Sequence, residues 1–345
     1  MRHPATCIVA RPRAGRDRSR RVATAFAALT LIALIAGCGT TGARTGPREQ
    51  GAPSPGFPVT VTNCGMATTY QRPPQRVVTM NQHTTEIMLA LGLAGRMVGT
   101  AYLDDSVLPE YRDEYRRIPV LAERYPSYEV LLKTAPDFVY GGYSSAFDQQ
   151  DGRSRQRLRK AGIRTHLNIA SCTDGSVGAS EVHDEIRTIG EIFDVPDRAQ
   201  GLIDRMNATL SKARREQGDA QPVSAFVYDS GAKTAYTAGG DGVVDAIVRM
   251  SGGHNVFADQ REGFVDASWE QVVQRRPEWI VILDYGSTTV EQKKRMLLNK
   301  PALADVPAIK HRRFAVLPLS SVVAGVRVPR AVADLSEQLH PGRSR

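Results

Sequence analysis

The residue types suited to chemistry in this chain cluster in short polar loops. Asn81, His83, Tyr102, Arg124, Tyr125, Tyr143 and Ser145 fall in the first half, and Tyr236, Phe264, Asp284, Tyr285 and Arg327 in the second. Aromatic rings stack on flat faces at low entropy cost, and an arginine fork pairs with carboxylate or catecholate oxygens. Such a set suits holding a bulky chelate better than cleaving a bond. Asp229-Ser230 and Ser144-Ser145 lack the Gly-x-Ser-x-Gly turn of a nucleophile elbow. Gly239-Gly240-Asp241-Gly242 lacks the Lys-Ser/Thr of a phosphate-binding loop, although its glycines would let backbone N–H groups face an anion. His83, His166, His183, His254, His311 and His340 are scattered, with no His-x-His, His-x3-His or Cys–His cluster. No resident metal, no cofactor and no catalytic residue is therefore expected. Of the histidines, His83 is the one placed to touch a ligand.

Loops need a scaffold, and the chain spells one twice. Ser127-Tyr128-Glu129-Val130-Leu131-Leu132, three residues, then Pro136-Asp137-Phe138-Val139 make one copy. Ser268-Trp269-Glu270-Gln271-Val272-Val273, three residues, then Pro277-Glu278-Trp279-Ile280 make the other, every position 141 residues on (Ser127 to Ser268). Ser is a natural helix N-cap, and Glu in the first turn favours the positive helix end. The aliphatic pair is expected to face a core, Pro to stop the helix, and the apolar run beyond to be a buried parallel strand. A recurring helix–Pro–strand unit implies two similar α/β lobes.

In chain order, a hairpin (59–70) precedes core strands at 76–80, 97–100, 120–121 and 138–140, a basic helix at 153–161 and a last strand at 164–169. Val182, Ile186 and Ile189 make one amphipathic helix. Ala199, Leu202, Ile203, Met206 and Leu210 continue a second, with Pro196 in its first turn. The second lobe opens with a strand at 224–228. A helix at 243–250, a turn at 252–257, the second repeat copy, a strand at 313–317, a loop at 320–328 and a helix at 329–339 follow. In alternating α/β chains ligands sit beyond the carboxyl ends of strands, which selects the loops named above. The domain reading is leader 1–37, tether 38–58, first lobe 59–180, linker helices 181–217 and second lobe 222–340.

The formal charge of +9 resides mostly in the leader. Seven arginines against Asp17 put +6 ahead of Cys38 and leave only +3 for the rest, which argues against a nucleic-acid footprint. Arg2 to Arg21 precede an apolar stretch, 22–36, too short for a comfortable membrane span. Leu34-Ile35-Ala36-Gly37-Cys38 resembles a bacterial lipobox, which implies cleavage before Cys38 and a lipid on its sulfur. Ser19-Arg20-Arg21 hints at twin-arginine export, but no Phe-Leu follows. Residues 39–58, rich in Gly, Thr and Pro, read as a flexible tether. With Cys7 in the leader and Cys38 lipidated, Cys64 and Cys172 remain, an even pair in an oxidising compartment. A disulfide joining the hairpin to the end of the first lobe is expected; two free buried thiols are the alternative.

Taken in order behind the lipobox, Pro74-x-Arg76-Val77-Val78, Glu86, Leu91-Gly92-Leu93, the paired Ser-x-Glu…Pro-acid units, Gly253-x-Asn255-Val256-Phe257 and the intervening long helix resemble the class III substrate-binding proteins of ABC importers. These are the iron-siderophore and vitamin B12 binding lipoproteins. The resemblance spans about residues 74–339. It implies an α/β fold of two Rossmann-like lobes joined by one long rigid helix, with a ligand cleft between them. It implies a monomer anchored on the outer face of the cell membrane, an ABC permease with its ATPase subunit as partners, and no enzymatic activity. It also implies that Glu129 and Glu270 dock on the permease, and that the loop aromatics and arginines face ligand. The expected cargo is a ferric siderophore, iron entering only as part of the chelate. A corrinoid or haem is the alternative within the class, and an anchored interaction module without a small ligand is the alternative outside it.

Overall fold

The computed structural model describes residues 54–172 and 175–342; the leader, Cys38 and the tether up to residue 53 lie outside them. The first strands, β1 (Val59–Asn63) and β2 (Met66–Tyr70), pair antiparallel as a hairpin. Then come β3 (Val77–Met80), β4 (Met97–Ala101), β5 (Val120–Ala122), β6 (Phe138–Gly141) and β7 (Arg164–Leu167), a parallel sheet in the order β5-β4-β3-β6-β7. Its two central strands, β3 and β6, are buried at every position, as parallel strands covered on both faces must be. Edge strand β5 leaves Val120 57% exposed.

The second lobe contains β8 (Val223–Tyr228), β9 (Ala235–Ala238), β10 (Gly253–Asn255), β11 (Phe264–Ala267), β12 (Trp279–Asp284) and β13 (Phe314–Pro318). Four of these form a parallel sheet in the order β10-β8-β12-β13, and β9 pairs with β11 antiparallel. The two repeat copies deliver β6 and β12, which lie in different sheets. Around them the order β4-β3-β6-β7 matches β10-β8-β12-β13 strand for strand.

The repeat's acid explains that match. Asp137 accepts from the backbone N–H of Gln75 and Arg76, both at 2.8 Å, at the start of β3. Glu278 accepts from Ser224 N at 3.0 Å, at the start of β8. In each lobe the acid after Pro therefore ties the foot of its own strand to the foot of the neighbour. The helices ahead of it, Tyr128–Lys133 and Trp269–Arg275, are both capped by the repeat's serine, which accepts from Val130 N and Gln271 N. Both helices end before Pro, at left-handed residues Ala135 (φ 43) and Arg276 (φ 48). One expectation needs correcting: Leu131 is fully buried but Leu132 is 40% exposed. Adjacent residues project about 100° apart around a helix of 3.6 residues per turn, so one short helix cannot face both inward.

Other boundaries move for local reasons. The basic helix shortens to Arg155–Lys160 because Ser154 caps it, accepting from Arg157 N. Strand β7 stops at Leu167 because Asn168 caps a 3₁₀ turn through Ala170 N. The stretch expected to be a turn near 252–257 instead supplies edge strand β10. Cys64 and Cys172 are disulfide-bonded, tying the hairpin to the segment beyond β7.

Between the lobes run the helices Ala179–Ile192 and Pro196–Gln217. The second has 22 residues, roughly 33 Å at 1.5 Å per residue, with Pro196 at its first position. Their buried faces belong to one apolar cluster that also holds Phe138 and Tyr140 of the first sheet and Ala225 and Val227 of the second. A continuous core along a helical spine makes a stiff connection, so rigid-body closure should be small. No helix among the described residues is long and apolar enough to cross a membrane.

Candidate functional site

Both parallel sheets turn their carboxyl ends toward one cavity of about 440 Å³. From the first lobe, His83 enters just beyond β3, Tyr143 beyond β6 and Ala170 beyond β7. From the second come Asp241 to Val244 after β9, Arg261 to Phe264 at the start of β11, and Leu319 and Val322 to Ala324 after β13.

The first-lobe wall is polar and tightly built. Asn81 leaves β3 at φ 87 and Tyr102 leaves β4 at φ 55, left-handed conformations that cost energy for side-chain-bearing residues and cluster at binding sites. Asn81 Oδ1 accepts from the Tyr125 hydroxyl at 3.1 Å and from Gly142 N at 3.2 Å, and Tyr125 also meets Ser145 Oγ at 3.0 Å. The Tyr102 and Tyr125 rings meet edge to face at 4.7 Å, and those of His83 and Tyr143 at 5.1 Å. Burial pushes the His83 imidazole down to about 4, so it is neutral at physiological pH. Burial raises the Tyr143 and Tyr125 phenols, and the nearby Asp104 carboxylate adds to it. A side chain at Gly142 would put its Cβ 2.4 Å from His83 Cε1, so only glycine lets this loop pass the imidazole.

The second-lobe wall is flatter. Tyr236, 38% exposed, stacks on Phe264 with centroids 5.4 Å apart and planes 23° apart. Arg261, its side chain 89% exposed, stands at the mouth 3.9 Å from Asp241. The floor is the apolar segment Leu319 with Val322 to Ala324, which reaches the other lobe where Asn168 Nδ2 donates to Ala324 O at 3.2 Å.

His83, Tyr143 and Phe264 therefore line the cavity, and Tyr236 backs Phe264. Asn81, Tyr102, Tyr125 and Ser145 form the network behind His83 and Tyr143. Arg124 is exposed on the rim loop. Tyr285 does not reach the cavity: its hydroxyl donates to Asp229, and the Lys293 amine sits 4.6 Å from its ring. Lys293 in turn donates to the carbonyls of Asp229 at 2.7 Å and Leu283 at 2.6 Å, anchoring the end of β12 where Asp284 lies exposed. Arg327 is a clear correction. It is 8% exposed and both ends of its fork bind Glu86, so it has no face left for a ligand. The glycine loop is another. Gly239 N and Gly240 N donate to the carbonyls of Gly263 (3.1 Å) and Gln260 (2.8 Å), so they do not point at an anion.

Sequence reasoning missed the apolar floor, because Val322 and Val323 look like any core residues, and missed Arg261 and Glu262, which carry no motif. Glu129 and Glu270 stand fully exposed in the first turns of the two repeat helices, their carboxyls held below the usual range by backbone N–H groups and by the capping serines. Both turns lie at the carboxyl edge of their sheets. Arg153 reaches the carbonyls of Pro126 and Ser145, and Trp269 Nε1 donates to Ala232 O just beyond β8.

A family model described as periplasmic binding protein matches residues 77–320. An uncharacterised ABC transporter substrate-binding lipoprotein of Bacillus subtilis is 27% identical over 323 residues, covering 92% of this chain and 96% of the relative. A periplasmic binding protein from Veillonella parvula superposes with TM-score 0.76 at 27% identity, covering 82% of this chain and 97% of that one. A protein of the ABC-type Fe3+-hydroxamate transport system of Saccharomonospora viridis superposes with TM-score 0.69 at 24% identity, covering 82% and 99%, which speaks to the fold alone.

Proposed function

The chain belongs to the periplasmic binding protein family, as an extracytoplasmic substrate-binding protein of an ABC transporter and not an enzyme, and from that premise we propose that its cargo is a ferric siderophore. The cavity carries the reading. Its volume falls within the usual span for small-molecule sites, about 300–1,000 Å³. Tyr143 faces it from one lobe and Phe264, backed by Tyr236, from the other, so a flat-sided chelate would be held between aromatic walls over an apolar floor. Among the described residues no group of three or more His, Cys, Asp and Glu is arranged to hold a metal ion.

The lipobox-like segment ending at Cys38 supports a lipid anchor, and Glu129 and Glu270 at the carboxyl edges of the two sheets support two-point docking of one monomer on a permease. The permease and its ATPase are separate chains. A corrinoid or haem is the second reading, favoured by the same aromatic walls. Calorimetric titration of the purified protein with ferric trihydroxamates, ferric triscatecholates, haem and cobalamin tests the choice. Micromolar or tighter binding of a ferric chelate alone is expected; binding of haem or cobalamin in its place overturns the siderophore reading.

A further inference from the structure

The floor of the cavity belongs to the second lobe by sequence and is bonded to the first. Leu319 and Val322 to Ala324 lie in the connection, 319–327, between β13 and the helix Val328–Leu339. Near its start, Ser320 Oγ donates to Asp105 Oδ2 at 3.2 Å. At its end, Arg327 donates to both oxygens of Glu86 and to the carbonyl of Ser106. Between them, a side chain at Gly325 would put its Cβ 2.9 Å from His83 Cβ and 3.5 Å from His83 Cα. The connection is therefore a strap laid directly on the first-lobe wall. The floor residues Leu319, Val322, Val323 and Ala324 are all apolar, so none of their side chains can fix its height by a hydrogen bond.

Asn168 supplies that bond. It is fully buried just beyond β7, and its own N–H donates to Gly141 O at 2.9 Å, which fixes its backbone to the end of β6. Its side chain then works in two directions. Oδ1 accepts from Ala170 N at 3.1 Å, and Nδ2 donates to Ala324 O at 3.2 Å, 156 residues away. Ala170 and Ala324 both line the cavity. One amide thus joins cavity-lining segments of opposite lobes. A buried backbone carbonyl deprived of its donor is costly, so the strap is expected to shift or loosen without this contact.

We propose that Asn168 is a positioning residue of the cargo site: it sets the height of the apolar floor against the His83 and Tyr143 wall, and through the floor the fit of the cargo. Being fully buried, it acts through Ala170 and Ala324 rather than on the cargo itself. The inference rests on the cavity being the cargo site, whichever chelate fills it.

Asn168→Ser separates the two side-chain bonds. A serine hydroxyl can still cap the turn at Ala170 N but is too short to reach Ala324 O. Wild type and N168S, their folding checked by thermal melting, are titrated calorimetrically, well below their melting transitions, with a ferric trihydroxamate, a ferric triscatecholate, haem and cobalamin. Backbone amide exchange over 319–326 is followed with and without the tightest-binding of these probes. N168S should bind that probe about tenfold more weakly and exchange its strap amides about tenfold faster, as the loss of one buried hydrogen bond would give. Saturating probe should restore most of the strap's protection, and the facing wall, 261–264, should exchange as in the wild type. A role confined to stability would raise exchange throughout the first lobe and leave the affinity unchanged. Wild-type affinity in N168S, or strap amides no faster than in the wild type, overturns the positioning role and leaves the cargo reading intact. Ser320→Ala, which frees the strap from Asp105 without touching Asn168, is the second variant and decides the matter if N168S does not fold. It should also weaken the probe and quicken exchange over 319–326, and unchanged values overturn the proposal. A wild-type protein that binds none of the four probes removes the cargo reading and the positioning role together.

Discussion

Arg327 of the second lobe holds both carboxylate oxygens of Glu86 of the first, through hydrogen bonds of 2.7 and 2.6 Å, although 241 residues separate them in the chain. The same guanidinium donates to Ser320 Oγ at 3.0 Å and Ser106 O at 2.7 Å, while Leu108 N donates to Glu86 at 2.9 Å. The pair is a lobe-to-lobe clamp with nearly every donor and acceptor used. Removing one partner leaves a buried charge unpaired, which costs about 3–5 kcal/mol, whereas replacing both is far less severe. Arg327→Met should therefore lower unfolding stability in urea by that amount, and the double variant Glu86→Gln/Arg327→Met should recover part of the loss. Equal stabilities for the wild type and R327M would mean that the clamp is not formed in solution.

Glu129 and Glu270 have no structural partner beyond their own helix ends and the capping serines, and both are fully exposed. Their replacement by Ala together should abolish uptake of the labelled cargo by cells while leaving the melting temperature and the affinity of the purified protein unchanged. Normal uptake by the double variant would leave both residues with helix-end roles alone.

The repeat was legible because spacing survives in one dimension: the same capping, stopping and strand-forming residues recur at a constant offset. The recurrence of an acid after Pro was visible, but its role was not. Asp137 and Glu278 act on the feet of neighbouring strands through N–H groups 61 and 54 residues earlier, at Arg76 and Ser224. Arg327 was misread for the same reason, since an arginine in a loop near a cleft looks available until its distant carboxylate is known. Gly239 and Gly240 look like an anion cradle in sequence, yet each N–H is taken by the neighbouring 260–263 loop. Pairings set by tertiary proximity leave no mark on local pattern.

His83 sets a pH response. Burial lowers its imidazole from the ordinary 6.5 to about 4, so between those values the unfolded chain binds a proton that the folded protein refuses. Stability contributed by the neutral ring is present above about pH 6.5 and is lost as the pH falls toward 4, by roughly 3 kcal/mol for a shift of this size. Half-buried Asp104 and buried Asp229 and Asp245 have raised pKa values and pull the other way over the acid range, so the total curve mixes both signs. The comparison of wild type with His83→Gln isolates the histidine. H83Q should flatten the decline between pH 6.5 and 4, and parallel curves would show that the ring titrates normally.

Gly142 is where the site depends on an absent side chain. Its loop leaves β6 between His83 and Asn81, whose Cβ lies 2.7 Å from the position a Gly142 Cβ would take, with His83 Cε1 at 2.4 Å. Both neighbours are buried and packed, so neither can swing aside as a flexible surface chain would. Gly142→Ala should cost about 1–3 kcal/mol of stability through overpacking. It should also loosen the Asn81 contact to Gly142 N, and so displace Tyr125, which shares the same Asn81 oxygen. Cargo affinity should fall by more than a stability loss alone explains, because a protein still more than 99% folded in buffer binds according to the shape of its site. The measurement is therefore calorimetric affinity at a temperature well below the melting transition. G142A with undiminished affinity would show that the His83 and Asn81 wall does not touch the cargo.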